Sequence, residues 1–180
     1  MITLSRIVLL SSMLVSSLFV KAQNKTTLLK IIRDDFQAIN HDKTLTKTTL
    51  SNEQFLENMT DGGGELAGYY KKDSLVKIVE WIGLSYGNRT REFYFKENKL
   101  FFVYEKFESF VHNDKTNELD LTKVKTTFEG RYYFNNKKLI DQKNSGKRTF
   151  EENESGMEEE LQSAAGEDIH LLNKKKNNVN

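Results

Sequence analysis

The chain has 180 residues, of which 27 are basic and 26 acidic, and it contains no cysteine and no proline. Without cysteine it can form no disulfide framework, zinc ribbon, iron–sulfur cluster, thiol nucleophile or lipidated N-terminal cysteine. A formal charge of +1 gives no concentrated positive field, so the composition predicts no nucleic-acid partner.

The first 22 residues have the pattern of a secretory signal peptide. Arg6 is a short basic region, residues 7–20 are apolar apart from serines, and Val-Lys-Ala at 20–22 suits signal peptidase. The 14-residue apolar stretch is shorter than the roughly 20 residues of a membrane-spanning helix. We therefore predict cleavage after Ala22, a periplasmic or secreted protein, and no transmembrane span after cleavage. Removing these 22 residues, with Arg6 and Lys21 among them, leaves 158 residues of formal charge −1, which suits one domain.

Two helical patterns follow the signal peptide. Apolar residues recur at helical spacing over residues 26–40, which predicts an amphipathic helix. Ser-Asn-Glu-Gln at 51–54 has the form of a capping box and predicts a short helix reaching Met59. The glycines at 62–64 lack the lysine and hydroxyl residue of a phosphate loop, and we interpret them as a flexible break.

Residues 65–140 are dominated by aromatic and β-branched residues in short runs, the signature of antiparallel strands. An eight-residue unit occurs three times in this region: two aromatic residues, a four-residue polar turn, then leucine and another apolar residue. Each unit predicts a hairpin with a two-residue turn whose second residue favours positive φ, a position that suits Asp73 and Asn98 better than Lys137. The predicted flanking pairs are Tyr70 with Leu75, Phe95 with Leu100, and Phe134 with Leu139.

The hairpin unit resembles the aromatic-aromatic-x-Asn-Gly-Lys-Leu hairpin of MORN-like repeat proteins, with the glycine replaced in all three copies. The segments 61–64, 68–70, 75–79 and 131–134 look like those of small exported proteins of the Bacteroidetes type. This resemblance covers roughly residues 51–142. It implies an exported, β-rich fold and carries no assigned activity.

The Glu-rich segment after residue 151 predicts a C-terminal helix that is acidic at its start and basic at its end. Residues 174–180 are predicted to be a disordered tail, so the predicted domain covers residues 23–173. The whole pattern predicts an α+β fold: a mostly antiparallel meander sheet of five to seven strands with an N-terminal and a C-terminal helix.

The register of the sheet follows from a connection at residues 83–88, which sets Ile82 opposite Arg89 and Glu80 opposite Arg91. It assigns a core face that contains Ala67, Tyr69, Val76, Ile78, Ile82, Phe93, Phe95, Leu100 and Phe102. The opposite face contains Lys77, Val79, Trp81, Glu92, Tyr94, Phe101, Val103 and Glu105. This second face is too aromatic for a solvated surface, so we expect a cover: the terminal helices on one face each, a second copy of the chain, or a partner.

The binding hypothesis centres on three aromatic residues, Trp81, Tyr86 and Tyr94, with Arg89 and Arg91 beside them. Exposed aromatic and arginine side chains are the usual anchors of an interface. They predict an exported, non-enzymatic binding or interaction protein whose partner is a protein or an envelope component, with a homodimer as another possibility.

The alternative function is a hydrolase of saccharide or envelope polymer. Neighbouring strands can hold two of Glu80, Glu92 and Glu105 at the separation that glycoside hydrolysis needs. The competing interpretation is a cross-strand ion pair of Glu80 with Arg91, which we favour. The three histidines lack metal-ligand spacing, and no motif predicts a cofactor.

Overall fold

A computed structural model describes residues 25–148 and 156–179. Helix α1 covers residues 25–41, α2 is Asn52–Phe55, and α3 is Met157–Val179. The strands are β1 Thr46–Ser51, β2 Gly64–Lys71, β3 Ser74–Leu84, β4 Gly87–Lys96, β5 Lys99–Asn113, β6 Glu118–Asn135 and β7 Lys138–Gly146. The signal peptide predicted for residues 1–22 lies outside the described residues.

The seven strands form one antiparallel sheet in the order β1-β2-β3-β4-β5-β6-β7, with α1 packed on one face and α3 on the other. The predicted α+β meander with two terminal helices is therefore confirmed. Strand β1 was not predicted, and α2 ends at Phe55, short of the predicted Met59. Helix α3 continues to Val179, through most of the segment for which a disordered tail was predicted.

Each of the three repeated hairpins has the predicted flanking pair, and each also has a β-bulge directly after it. The extra residues are Val76, Phe101 and Ile140, because the next pairs are Tyr69 with Lys77, Tyr94 with Phe102, and Tyr133 with Asp141. A bulge places two residues of one strand opposite one of its partner. The repeat therefore encodes a bulged hairpin, and the alternation of side chains between faces shifts by one residue at each copy.

These bulges correct the predicted faces. The predicted register of β3 with β4 is confirmed, including Ile82 opposite Arg89 and Glu80 opposite Arg91. Beyond the bulges the assignment was wrong by one residue. Phe102 lies on the α1 face and Val103 on the α3 face, where Glu105 also lies. Ala67 and Tyr69 share the α1 face with Val79 and Lys77.

Glycines 62 and 83 lie so close together that no side chain fits between them. A Cβ atom on Gly62 would lie 2.7 Å from the Cα of Gly83. The Gly62 N–H donates to the Gly83 carbonyl at 3.1 Å, and the Gly83 N–H donates to the Gly63 carbonyl at 2.9 Å. The segment interpreted as a flexible break is instead hydrogen-bonded to the end of β3, where glycine permits close backbone approach.

The main apolar core lies between the sheet and α3. Leu161, Ala165 and Leu172 recur on one side of α3 and are at most 3% exposed. The sheet residues packed against them include buried Leu50, Leu66, Ile78, Phe93, Phe95, Val103, Tyr132 and Phe134. Helix α3 crosses every strand, since Glu158 contacts Leu139 at β7 and the helix also packs against β1.

Candidate functional site

An open groove of about 550 Å³ lies between α1 and the sheet. Its floor is the aromatic row Tyr94, Phe102 and Tyr133, which are direct neighbours across β4, β5 and β6. Ile32 and Phe36 of α1 form one wall. Helix α1 lies over this row, and the next side chains along the strands form the open side of the groove, including Glu92, Tyr104 and Arg131.

Helix α1 lies here because its apolar residues recur every three to four positions and face the sheet. Leu29, Ile32, Phe36 and Ile39 all pack against the aromatic row. The Phe36 ring lies 4.9 Å from the Tyr94 ring and 5.2 Å from the Phe102 ring, in tilted and edge-on arrangements. Such pairs add to the stabilisation that burial alone provides. The predicted helix at residues 26–40 is therefore confirmed, and its packing creates the groove.

One end of the groove contains a closed network of polar side chains. The Lys77 ammonium contacts Glu92 at 3.0 Å and donates to the Asn40 side-chain oxygen at 3.0 Å. The Tyr94 hydroxyl donates to Glu92 and lies 3.1 Å from the Asn40 amide nitrogen. Burial raises the pKa of Tyr94 well above its usual value, and the charge of Glu92 adds to this effect. Tyr94 is therefore a neutral hydroxyl at physiological pH.

The other end of the groove contains aromatic and cationic groups. The Tyr104 hydroxyl donates to Glu129 at 2.6 Å, and the Arg131 guanidinium lies 5.2 Å from the Tyr104 ring centroid. Burial, followed by the bond to Glu129, raises the pKa of Tyr104 far above its usual value. Arg33 of α1 lines the same groove from the opposite wall. Two guanidinium groups thus border one cavity.

The structure separates the five predicted binding residues. Trp81 and Tyr86 are 36% and 44% exposed, whereas Tyr94 is fully buried in the floor beneath α1. Trp81 shares the α1 face but lies outside the groove, and the Tyr86 ring packs against Phe107 on the other face. Arg89 and Arg91 also lie on the α3 face. The predicted aromatic platform is therefore not one surface.

A network of charged side chains lies between the sheet and α3. Arg91 binds Glu80 through two hydrogen bonds of 2.9 and 3.0 Å, and Arg89 donates to the same carboxylate at 2.9 Å. The favoured Glu80–Arg91 ion pair is thus confirmed. Arg148 connects Glu105, at 3.1 Å, to Glu160 of α3, at 2.5 Å. Burial alone would raise the pKa of Glu80, but the charges of Arg91 and Arg89 outweigh it and lower that pKa.

Asp168 of α3 is buried in the same network and forms no ion pair with another described residue. It is 4% exposed, and its Oδ2 atom has no hydrogen-bond partner in the described part of the chain. Burial, followed by the negative charge of Glu80, raises the pKa of Asp168 from 3.8 to about 8. Three arginines already balance Glu80, Glu105 and Glu160, so a protonated Asp168 leaves the network neutral.

Comparison with protein-family models, curated proteins and solved structures found no match for this chain. Over residues 25–148 and 156–179, no three histidine, aspartate or glutamate side chains are grouped so as to hold a metal ion. None of the helices in those ranges is both long enough and apolar enough to cross a bilayer.

Sequence reasoning placed Lys77, Glu92 and Tyr94 together on one face but did not find the groove. Asn40 was only the last residue of the predicted helix, and Arg33, Tyr104 and Arg131 were not proposed as site residues. The information that the sequence lacked is the bulge in each repeat, because the extra residue is apolar in all three copies. Once Phe101 is counted as an extra residue, Tyr94, Phe102 and Tyr133 fall into one aromatic row.

Proposed function

We propose that this protein is an exported, non-enzymatic binding protein that holds a small ligand in the groove between α1 and the sheet. The observation that carries the proposal is the groove itself, an open cavity of about 550 Å³ with an aromatic floor and a few polar side chains at its ends. Small-molecule sites typically have this size and this mixture of apolar lining and placed polar groups. Export rests on the signal-peptide pattern of residues 1–22.

The arrangement of the carboxylates favours binding over hydrolysis. Glu80 and Glu105 are held by arginines beneath α3, and Glu92 lies on the opposite face in contact with Lys77. A glycosidase needs two carboxyl groups that flank one bond of the substrate. These three glutamates do not share a cleft, so the hydrolase alternative gains no comparable support.

The binding site can be tested by filling the groove from α1. Gln37 is exposed and lines the groove, whereas its neighbour Ala38 is exposed and does not. We expect Gln37→Trp to abolish binding of small aliphatic and aromatic fragments in ligand-observed NMR, because the indole occupies the cavity. Ala38→Trp adds the same side chain outside the cavity and should bind like the wild type. Equal binding by both variants, or no fragment binding to the wild type, would contradict the proposed site.

Export is tested separately by the intact mass of the protein produced with its N-terminal segment in a bacterial host. We expect the periplasmic or secreted product to begin at Gln23, because Val-Lys-Ala at 20–22 suits signal peptidase. Retention of residues 1–22 in a membrane fraction would contradict cleavage while leaving the groove hypothesis in place.

A further inference from the structure

We infer that the groove selects an amphiphile with one anionic head group of the carboxylate type and an apolar tail. This inference rests on the proposed binding function and adds the chemical class of the ligand. It depends on the apolar floor, on which polar groups already have partners, and on the charges that remain.

The half-buried rings of the groove suit an apolar tail. Tyr94, Phe102 and Tyr133 are at most 6% exposed and form the packed base, with centroid separations of 5.7 Å for Tyr94–Phe102 and 5.1 Å for Phe102–Tyr133. Phe36 and Tyr104 line the groove above this base and are only half-buried. Ile32 and Phe36 continue this apolar surface onto α1. A ligand that covers the exposed parts of Phe36 and Tyr104 removes apolar area from water, the main favourable contribution to binding in such a pocket.

The polar groups at the floor are already occupied. The Lys77 ammonium is bound by Glu92 and Asn40, and the Tyr94 hydroxyl is engaged by the same two residues. The Tyr104 hydroxyl donates a hydrogen bond to Glu129 at 2.6 Å. A ligand that bound these groups would have to replace good existing hydrogen bonds, which brings little net gain. The polar part of a ligand is therefore expected to bind side chains whose N–H donors are not already used.

The two arginines at the groove have such donors. Each guanidinium has five N–H groups. Arg33 uses its Nε for the Leu29 carbonyl at 3.1 Å, and Arg131 has one long contact of 3.5 Å to Glu129. No further hydrogen bond joins either guanidinium to a described residue. The planar N–H pairs of arginine match the two oxygens of a carboxylate.

The charge balance points the same way. The groove and its immediate contacts contain three cations, Arg33, Lys77 and Arg131, and two carboxylates, Glu92 and Glu129. The site therefore keeps a net positive charge of about one, which favours an anionic head group and disfavours a cationic one. Arg131 also stacks on Tyr104, so a head group bound there lies beside one of the half-buried rings that receive the tail.

The test uses three ligands with the same eight-carbon chain: octanoate, 1-octanol and octylammonium. Isothermal titration calorimetry with the full mature chain should show octanoate binding at least about fivefold more tightly than 1-octanol, with octylammonium weakest. Arg131→Gln and Arg33→Gln should each weaken octanoate binding about three- to tenfold and change 1-octanol binding less than about twofold. Circular dichroism checks that both variants remain folded.

Lys143→Gln is the matched control for charge. Lys143 lies directly opposite Arg131 on β7 and is exposed, but it does not line the groove. We expect this variant to bind octanoate within about twofold of the wild type. An equal effect of Lys143→Gln and Arg131→Gln would overturn direct recognition by the guanidinium.

Two other results would overturn the ligand class, and both are distinguishable from failure of the binding site. Equal affinities for octanoate and 1-octanol, both lost in Gln37→Trp, would leave the groove as a neutral apolar site. Absence of octanoate binding while other fragments still bind would exclude the carboxylate class. Octanoate binding that survives Gln37→Trp would instead contradict the proposed site itself.

Discussion

The two faces of the sheet are covered to different extents. Helix α3 crosses all seven strands and encloses both an apolar core and a network of ion pairs. Helix α1 crosses from Asp141 on β7 to Lys77 on β3 and covers one aromatic row, leaving a groove beside it. The closed face provides close packing, which stabilises a fold, whereas the partly covered face leaves ring surface and cations available to a ligand.

The same residue types therefore have different roles on the two faces. On the α3 face, arginine is buried with glutamate, where loss of one partner leaves an uncompensated charge. On the α1 face, arginine is partly exposed, and its ion pair contributes little to stability. We expect substitutions on the α3 face to lower stability and substitutions at the groove to lower binding.

The largest difference is expected between the aromatic residues Phe95 and Trp81. Phe95 is 3% exposed in the α3 core, so Phe95→Ala should lower the free energy of unfolding by about 3 to 5 kcal/mol. Trp81 is 36% exposed on the other face, and Trp81→Ala should cost about 1 kcal/mol. Urea titrations measure both values. Similar losses at the two positions would show that the faces do not differ in packing.

The next difference compares two arginines. Arg91 is buried with Glu80, and Arg91→Met should cost about 3 kcal/mol because it breaks a buried ion pair. The side chain of Arg131 is 41% exposed and contacts Glu129 at 3.5 Å, so Arg131→Met should cost less than about 0.5 kcal/mol. Denaturant midpoints of the two variants provide the comparison. A loss at Arg131 as large as that at Arg91 would contradict the assignment of Arg131 to ligand binding.

The third prediction concerns Asp168 and pH. The pKa of Asp168 is about 8 in the folded protein, against an ordinary value of 3.8. Between pH 3.8 and about pH 8, Asp168 therefore keeps its proton in the folded protein but has lost it in the unfolded chain. Stability therefore falls as pH rises through this window, by up to about 1.4 kcal/mol per pH unit from this group. Asp168→Asn removes the dependence. Its advantage over the wild type should grow by about 2 kcal/mol from pH 5 to pH 7 in urea titrations.

Asp120→Asn is the control for this pH effect. Hydrogen bonds from Lys123 and Thr122 lower the pKa of the half-buried Asp120 to about 2. Both this value and the ordinary value of 3.8 lie below pH 5, so the difference between this variant and the wild type should not change between pH 5 and pH 7. If the stability difference between Asp168→Asn and the wild type were also constant from pH 5 to pH 7, Asp168 would be ionised in the folded state.

The smallest effect is expected at a hairpin turn. Lys137 has a φ of 66°, a left-handed conformation that is costly for a residue with a Cβ atom, and it follows Asn136, which has a φ of 48°. Lys137→Gly creates an Asn-Gly turn and should stabilise the protein by about 1 kcal/mol. Asp73→Gly changes the equivalent position of the first hairpin, where φ is not positive, and should give no gain. Equal thermal shifts for the two variants would contradict this account.

The hairpins were predictable from sequence because each combines a polar turn with flanking aromatic and leucine residues. The faces beyond them were not, because the bulged residues Val76, Phe101 and Ile140 are themselves apolar. An extra apolar residue between two others gives no sign that the alternation has shifted. Strand β1 was missed for a related reason, since its sequence TKTTLS contains a single large apolar residue, Leu50.

The groove was less predictable than the fold because it joins distant segments. Asn40 and Tyr94 are 54 positions apart, and their contact depends on where α1 crosses the sheet. Sequence periodicity indicates that a helix has an apolar side, but it does not indicate which row of the sheet receives that side. The sequence marked Tyr94 as a notable aromatic residue. Predicting that it is buried beneath α1 would have required the correct register of three strands.

The length of α1 also limits how many strands the helix can cross, and therefore the width of the site. Fifteen residues separate Lys25, which contacts Asp141, from Asn40, which contacts Lys77, and this length of helix spans about 22 Å. The four strand spacings between β7 and β3 amount to about 19 Å, so the helix and the strands it crosses match in length. If duplication added a hairpin to the sheet, α1 would be too short to cross the new strands. The number of hairpins could grow only if the helix lengthened by about six residues for each added pair of strands.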